Sequence, residues 1–94
     1  KKINRYLLNL NSREIFYEKK KLKLTEQEIK ILLYLDKFKN PIKIDQLQKD
    51  IWKYKNDLET HTVETHIHRL RKKFFKAFND QDLIVSTKKG YFIK

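Results

Sequence analysis

Residues Thr62–Phe74 read TVETHIHRLRKKF, and the spacing inside this stretch decides the fold. Val63, Ile67, Leu70, Phe74 and Phe78 recur at steps of 4, 3, 4 and 4, which is one stripe of a 3.6-residue repeat. Thr65, Arg69, Lys72 and Lys76 recur at steps of 4, 3 and 4 on the far side, with Arg71 and Lys73 flanking them. All three histidines of the chain, His61, His66 and His68, fall at or within the same segment. A dry stripe backed by Arg, Lys, His and Thr predicts a helix over about 61–78. Such a helix rests on a core and presents its outer face to a DNA groove.

Working back from this helix, Thr25-Glu26-Gln27-Glu28 has the form of a capping box. The threonine hydroxyl accepts from the amide three residues on, and Glu28 reaches back to the Thr25 amide. A first helix is therefore expected from Thr25 to about Phe38, with Ile29, Leu32, Leu33 and Leu35 on its apolar face. Asn40-Pro41 ends it, because the residue before proline is pushed out of helical geometry. A second helix is expected from about Ile44 to Trp52, with Leu47 and Ile51 on one face. Lys53–Thr60, polar and mixed in charge, reads as a loop. Ahead of Thr25, residues 5–24 read as short strands around Leu7-Leu8, Ile15-Phe16-Tyr17 and Leu22, with turns at Asn11-Ser12 and Glu18–Lys21. Beyond the basic helix, Leu83–Ser86 and Tyr91–Ile93 read as two strands around Thr87-Lys88-Lys89-Gly90. Gly90 is the one glycine of the chain, and at a hairpin tip it supplies a positive φ.

Composition bounds the function. The 94 residues suit one domain with a modest core, burying roughly two-thirds of its surface. The opening Lys, in place of Met, makes the chain an expected piece of a longer protein. The longest apolar run, Ile31–Leu35, is five residues, far below the ~20 that span a bilayer. No signal peptide is evident, and no membrane partner is expected. Without cysteine there is no disulfide framework and no thiol chemistry, which suits a reducing cytoplasm. The net charge of +11 is unevenly placed: +6 over residues 1–25, zero over 26–60 and +5 over 61–94. A clustered positive field is the footprint of a polyanion binder.

Strands, three helices and a basic hairpin make an α+β chain with the plan of a winged helix-turn-helix. Residues 1–24 form an N-terminal antiparallel sheet, 25–78 a three-helix core and 83–94 a wing hairpin, all in a single domain, 1–94. The third helix is expected in the major groove of double-stranded DNA, with the hairpin reaching the adjacent backbone or minor groove. Arg69, mid-face, can make a bidentate bond to guanine, and Thr65 and His68 are the next base-edge candidates. Thr62, His66, Arg71, Lys72 and Lys73 are candidates for phosphates, which position the helix without reading sequence. The indole N–H of Trp52 suits a phosphate oxygen, and its ring suits the core. Lys19, Lys20, Lys21 and Lys23 read as solvated turn residues.

These residues resemble the effector domains of OmpR/PhoB-type response regulators over nearly the whole chain. The motif that opens the family's first helix appears as Leu24-Thr25-Glu26-Gln27-Glu28. The ending of its second helix appears as Leu47-Gln48-Lys49-Asp50-Ile51-Trp52. The core of its recognition helix appears as Thr62-Val63-Glu64-Thr65-His66-Ile67-His68-Arg69-Leu70-Arg71-Lys72-Lys73, and the closing pair of its wing as Gly90-Tyr91. The resemblance implies a two-component response regulator that controls transcription through sequence-specific binding to promoter direct repeats. The domain would be a monomer alone and a head-to-tail dimer on DNA. It further implies a receiver domain that accepts a phosphoryl group, and contact of the 53–60 loop with RNA polymerase. Three positions depart from the pattern. Lys43 stands where Ser or Thr caps the second helix, Thr65 where Val is frequent, and Thr87 where the wing carries Arg. Lys88 and Lys89 would then hold phosphates from the wing.

Other chemistries find little support. His66 and His68, two apart on a helix, point ~200° away from each other and cannot share a metal, so no metal and no cofactor is expected. There is no phosphate-cradling glycine loop, no carboxylate pair in an apolar setting, and no base beside Ser12 or Ser86, so no enzyme is expected. The alternative to a DNA reader is a winged-helix protein-interaction module whose basic helix meets an acidic partner.

Overall fold

A computed structural model of the protein describes residues 1–52 and 60–94, with the backbone alone at 52 and 60–62. Strands β1 (Lys2–Ile3), β2 (Tyr6–Asn9), β3 (Glu14–Tyr17) and β4 (Lys20–Lys23) form an antiparallel sheet in the order β1-β2-β3-β4. Register pairs Leu8 with Ile15 and Ile15 with Leu22, so strand alternation sends Tyr6, Leu8 and Ile15 inward, where they are buried. The two-residue β1 was not legible in the sequence. With a single glycine in the chain, the sheet turns on Asn4, Arg13 and Glu18, all at positive φ. Asparagine tolerates that region, whereas Arg and Glu adopt it against a steric cost.

Helix α1 (Glu26–Phe38) carries the complete capping box at Thr25. The Glu28 amide donates to the Thr25 hydroxyl at 3.2 Å, and the Thr25 amide donates to Glu28 Oε1 at 2.8 Å. The helix stops at Lys39, whose left-handed backbone returns its N–H to the Leu35 carbonyl. Helix α2 (Ile44–Leu47) begins at Lys43 with no side-chain cap. The regular helix expected over 44–52 is not what forms: Gln48–Trp52 is a π-helical turn. The Tyr34 hydroxyl donates to Asp50 Oδ2, and Gln46 Nε2 donates to the Tyr34 oxygen at 2.9 Å. The first bond ties the wider turn to α1, and the second ties α2 to it. The loop expected over 53–60 lies outside the described residues except for Thr60, which opens helix α3 (Thr60–Phe78).

Strands β5 (Ile84–Thr87) and β6 (Gly90–Ile93) form the hairpin, each one residue displaced or extended from the sequence expectation. Thr87 pairs with Gly90, leaving Lys88-Lys89 as a two-residue tip. Gly90 has φ +129°, the positive value expected of it. A second constraint acts at the same place: a Cβ on Gly90 would lie 2.3 Å from the Ile42 carbonyl oxygen. That closeness lets the Ile42 amide donate to the Tyr91 carbonyl at 2.7 Å and the Tyr91 amide to the Ile42 carbonyl at 2.9 Å. The α1–α2 connection is thereby stitched onto the hairpin.

The core lies between the inner face of the sheet, α1, α2 and α3. Ile3, Tyr6, Ile15, Ile31, Leu32, Leu35, Leu47, Val63, Leu70 and Phe74 are essentially closed to solvent. Tyr6 is its aromatic centre, edge-on to Phe74 at 5.1 Å and tilted against Phe78 at 5.0 Å.

Candidate nucleic-acid interface

Helix α3 divides as its spacing requires. Val63, Ile67, Leu70, Phe74 and Phe78 are all buried. On the other side His68, Arg69, Lys72 and Lys76 are exposed, with Arg71 and Glu64 exposed beside them and Thr65 half-buried. Burying the stripe fixes the rotation of the helix about its own axis, and that rotation determines which side chains face outward. Among the described residues Arg69, Arg71, Lys72 and Lys76 form no ion pair, so the outer face keeps its cationic charge. The side chains of Trp52, His61 and Thr62, also singled out in the sequence, lie outside the description.

Lys73 does not join this outer set. Its Nζ lies 2.7 Å from Glu28 Oε1, a carboxylate whose side chain is 4% exposed. The same oxygen that receives the Thr25 amide thus receives the Lys73 ammonium. Lys73 bridges α3 to the start of α1, so in this structure its ammonium is held by a carboxylate of the protein. The reason is rotational: Lys73 sits one turn from Arg69 but on the flank that α1 covers. His66, half-buried, shares that flank.

At the far end of α3, Asp80 gathers three donors. Tyr6 Oη donates to Oδ2 at 2.5 Å, Arg5 Nη2 donates to the same oxygen at 3.1 Å, and the Asp82 amide donates to Oδ1 at 2.8 Å. Burial alone would raise the Asp80 pKa. The hydrogen bonds from Tyr6, Asp82 and Arg5 outweigh it and hold the carboxyl below its ordinary 3.8. Burial, then the bond to Asp80, pushes the Tyr6 phenol well above its usual range. This clasp joins the β1–β2 turn to the end of the helix. No spacing rule could have revealed it, since its members are more than seventy residues apart.

In the wing, the Thr87 hydroxyl donates to the Gly90 carbonyl at 3.0 Å and accepts from the Lys89 amide at 3.1 Å. Thr87 therefore shapes the tip, and Lys88 and Lys89 are exposed on it. Among the described residues no group of three His, Cys, Asp or Glu is placed to hold a metal ion, and no helix is long and apolar enough to cross a membrane.

The family model described as "Transcriptional regulatory protein, C terminal" matches residues 19–93. The chain is 29% identical over 84 residues to the probable transcriptional regulator ycf27 of Cyanophora paradoxa, covering 86% of this chain and 35% of that protein. It spans about a third of the length of the curated relatives it matches. Its fold is similar to the DNA-binding domain of E. coli CadC, with a TM-score of 0.83 at 23% identity over 99% of this chain and 89% of that one. It is similar again to the DNA-binding domain of the response regulator AdeR, solved in complex with an intercistronic region, with a TM-score of 0.78 at 20% identity over 97% of this chain and 95% of that one. With the family motifs matched and the four-stranded sheet, helices and hairpin in the family's order, the chain belongs to the C-terminal domains of transcriptional regulatory proteins, the OmpR/PhoB-type winged-helix DNA-binding domains, which are not enzymes.

Proposed function

We propose that the domain reads double-stranded promoter DNA with α3 in the major groove. Arg69, Thr65 and His68 meet base edges. Arg71 and Lys72 hold phosphates, with Thr62, His66 and the Trp52 indole beside them, and Lys88 and Lys89 reach the backbone from a tip shaped by Thr87. One observation carries this reading: a buried stripe on α3 stands opposite exposed cations that no carboxylate among the described residues pairs. An inward carboxylate would have consumed that charge, as Glu28 does for Lys73. Following the family resemblance, the domain serves a two-component response regulator. A receiver domain accepts the phosphoryl group, two copies bind direct repeats head to tail, and the 53–60 loop touches RNA polymerase.

The experiment is in vitro selection of bound duplexes, followed by binding of Arg69→Ala to the selected site and to random DNA. The variant is expected to lose about 1–3 kcal/mol on the selected site and to blur preference at one base pair. Equal losses on both duplexes would reduce Arg69 to a phosphate contact. A selection that returns no motif, with log K still falling against log salt, would leave only non-specific retention.

A further inference from the structure

The outer face of the N-terminal sheet departs from the pattern its strands should follow. An antiparallel sheet with one face on the core ordinarily turns polar residues to water on the other. Here the register places Lys2 opposite Leu7, Leu7 opposite Phe16, and Phe16 opposite Lys21, a continuous row across all four strands. The row has two apolar side chains in its middle and a lysine at each end. Leu7 is 57% exposed, and Leu10, just past the end of β2, is 53% exposed. Leu7, Leu10 and Phe16 line an open groove of about 470 Å³, with Lys1 and Asn9 also in its walls. The next row of the same face holds Asn9, Glu14 and Lys23, and Glu14 is occupied by Lys21 at 3.5 Å. The same pair takes up Lys21, and Lys1 is drawn to Asp36 at 3.4 Å, so the face is apolar at its centre, with Lys2 and Lys23 as the cations that no carboxylate of the described residues pairs.

We propose that this face is a docking surface for an acidic protein segment that inserts a large apolar side chain between Leu7, Leu10 and Phe16. Exposed apolar clusters rimmed by charge mark interaction sites, and the lysines here select carboxylates as their complement. A duplex does not fit the face, because a phosphate backbone has no apolar group to cover Leu7 and Phe16. Nor does the DNA reading compete for it. The sheet packs its inner face on the inner face of α3, through Tyr6 on Phe74 and Phe78, so the two outer faces point in opposite directions. A second copy, away from a duplex that would neutralise it, would bring +11 against +11.

The test is titration of the isotope-labelled domain with a synthetic amphipathic peptide, Leu and Phe on one helical face and Glu and Asp on the rest. A matched peptide carrying Lys for each acid is the control. The acidic peptide is expected to shift the amides of residues 2, 7, 10, 16 and 21 saturably and to spare those of 65–76. Leu7→Ser with Phe16→Ser should weaken it about tenfold, the equivalent of one lost apolar anchor. Lys2→Glu with Lys23→Glu should reverse the preference toward the lysine peptide. A thermal melt of each variant confirms the fold, and all four positions are on the solvent side of the sheet. The proposal fails if no saturable shift occurs on the sheet, if the shifts fall on α3, or if the serine variant binds equally well. It fails likewise if phosphatidylserine vesicles, or a second copy in sedimentation, show the Leu7 dependence and the peptide does not.

Discussion

Lys72 and Lys73 are neighbours in the chain with different work to do. Lys72 points away from the core, exposed, and Lys73 turns to the buried carboxylate of Glu28. Removing Lys73 strands Glu28 with only the Thr25 amide to satisfy it, so Lys73→Met should cost about 1–3 kcal/mol in a urea melt. Lys72→Met should leave the melt within about 0.5 kcal/mol of the parent and lower the salt slope of DNA binding by roughly one. If both variants behave alike in both measurements, the distinction drawn from the ion pair is wrong. The sequence showed a run of basic residues behind a dry stripe, which was enough to orient Leu70 and Arg69. It could not show Lys73 to be paired with Glu28, because that depends on where α1 lies around α3. Leu70 itself is closed to solvent, and Leu70→Ala should destabilise the fold by about 2–5 kcal/mol, as a core cavity does. A calorimetric melt equal to the parent's would invert the assignment of the helix faces.

Legibility among the elements follows locality. The start of α1 was readable because a capping box involves four consecutive residues, and its end because Pro41 acts on the residue before it. The π-helical turn at Gln48–Trp52 was not, since what holds it is Tyr34, on another element. The hairpin was readable from Gly90, yet only half the reason for that glycine lay in the turn. The other half is Ile42, brought against it from almost fifty residues away. Gly90→Ala must place a Cβ into a backbone carbonyl, at a φ that side chains avoid, so neither partner can yield cheaply. A loss of about 2–4 kcal/mol is expected. In hydrogen exchange, the amides of Ile42 and Tyr91, which bond across this junction, should lose protection before those of α1. Retained protection at both would show that the hairpin tolerates the methyl by shifting as a unit.

At the scale of the whole molecule, the fold is closed at one corner by polar contacts between distant parts of the chain. Asn4 Nδ2 donates to the Lys94 carbonyl at 2.6 Å, and Asp80 draws Arg5, Tyr6 and the Asp82 amide together. Because Asp80 is held below its ordinary pKa in the folded chain, folding favours its ionised form. Its contribution is complete above about pH 4 and is lost as pH falls through the lower folded value. Asp36, whose burial is outweighed by Lys39 and Lys1, is shifted in the same direction and adds its own acid sensitivity. Asp80→Asn isolates the clasp from that background. Near pH 7 the variant should be less stable by about 1–3 kcal/mol, the cost of weakened bonds to a buried acceptor. As the pH falls below about 4 the two stability curves should converge, as the parent protonates Asp80 and the variant has nothing there to protonate. Urea melts across that range decide it. A gap that stays constant from neutral to acid pH would mean that Asp80 acts through shape alone, and that the charge gathered at this corner contributes nothing to holding the sheet against α3.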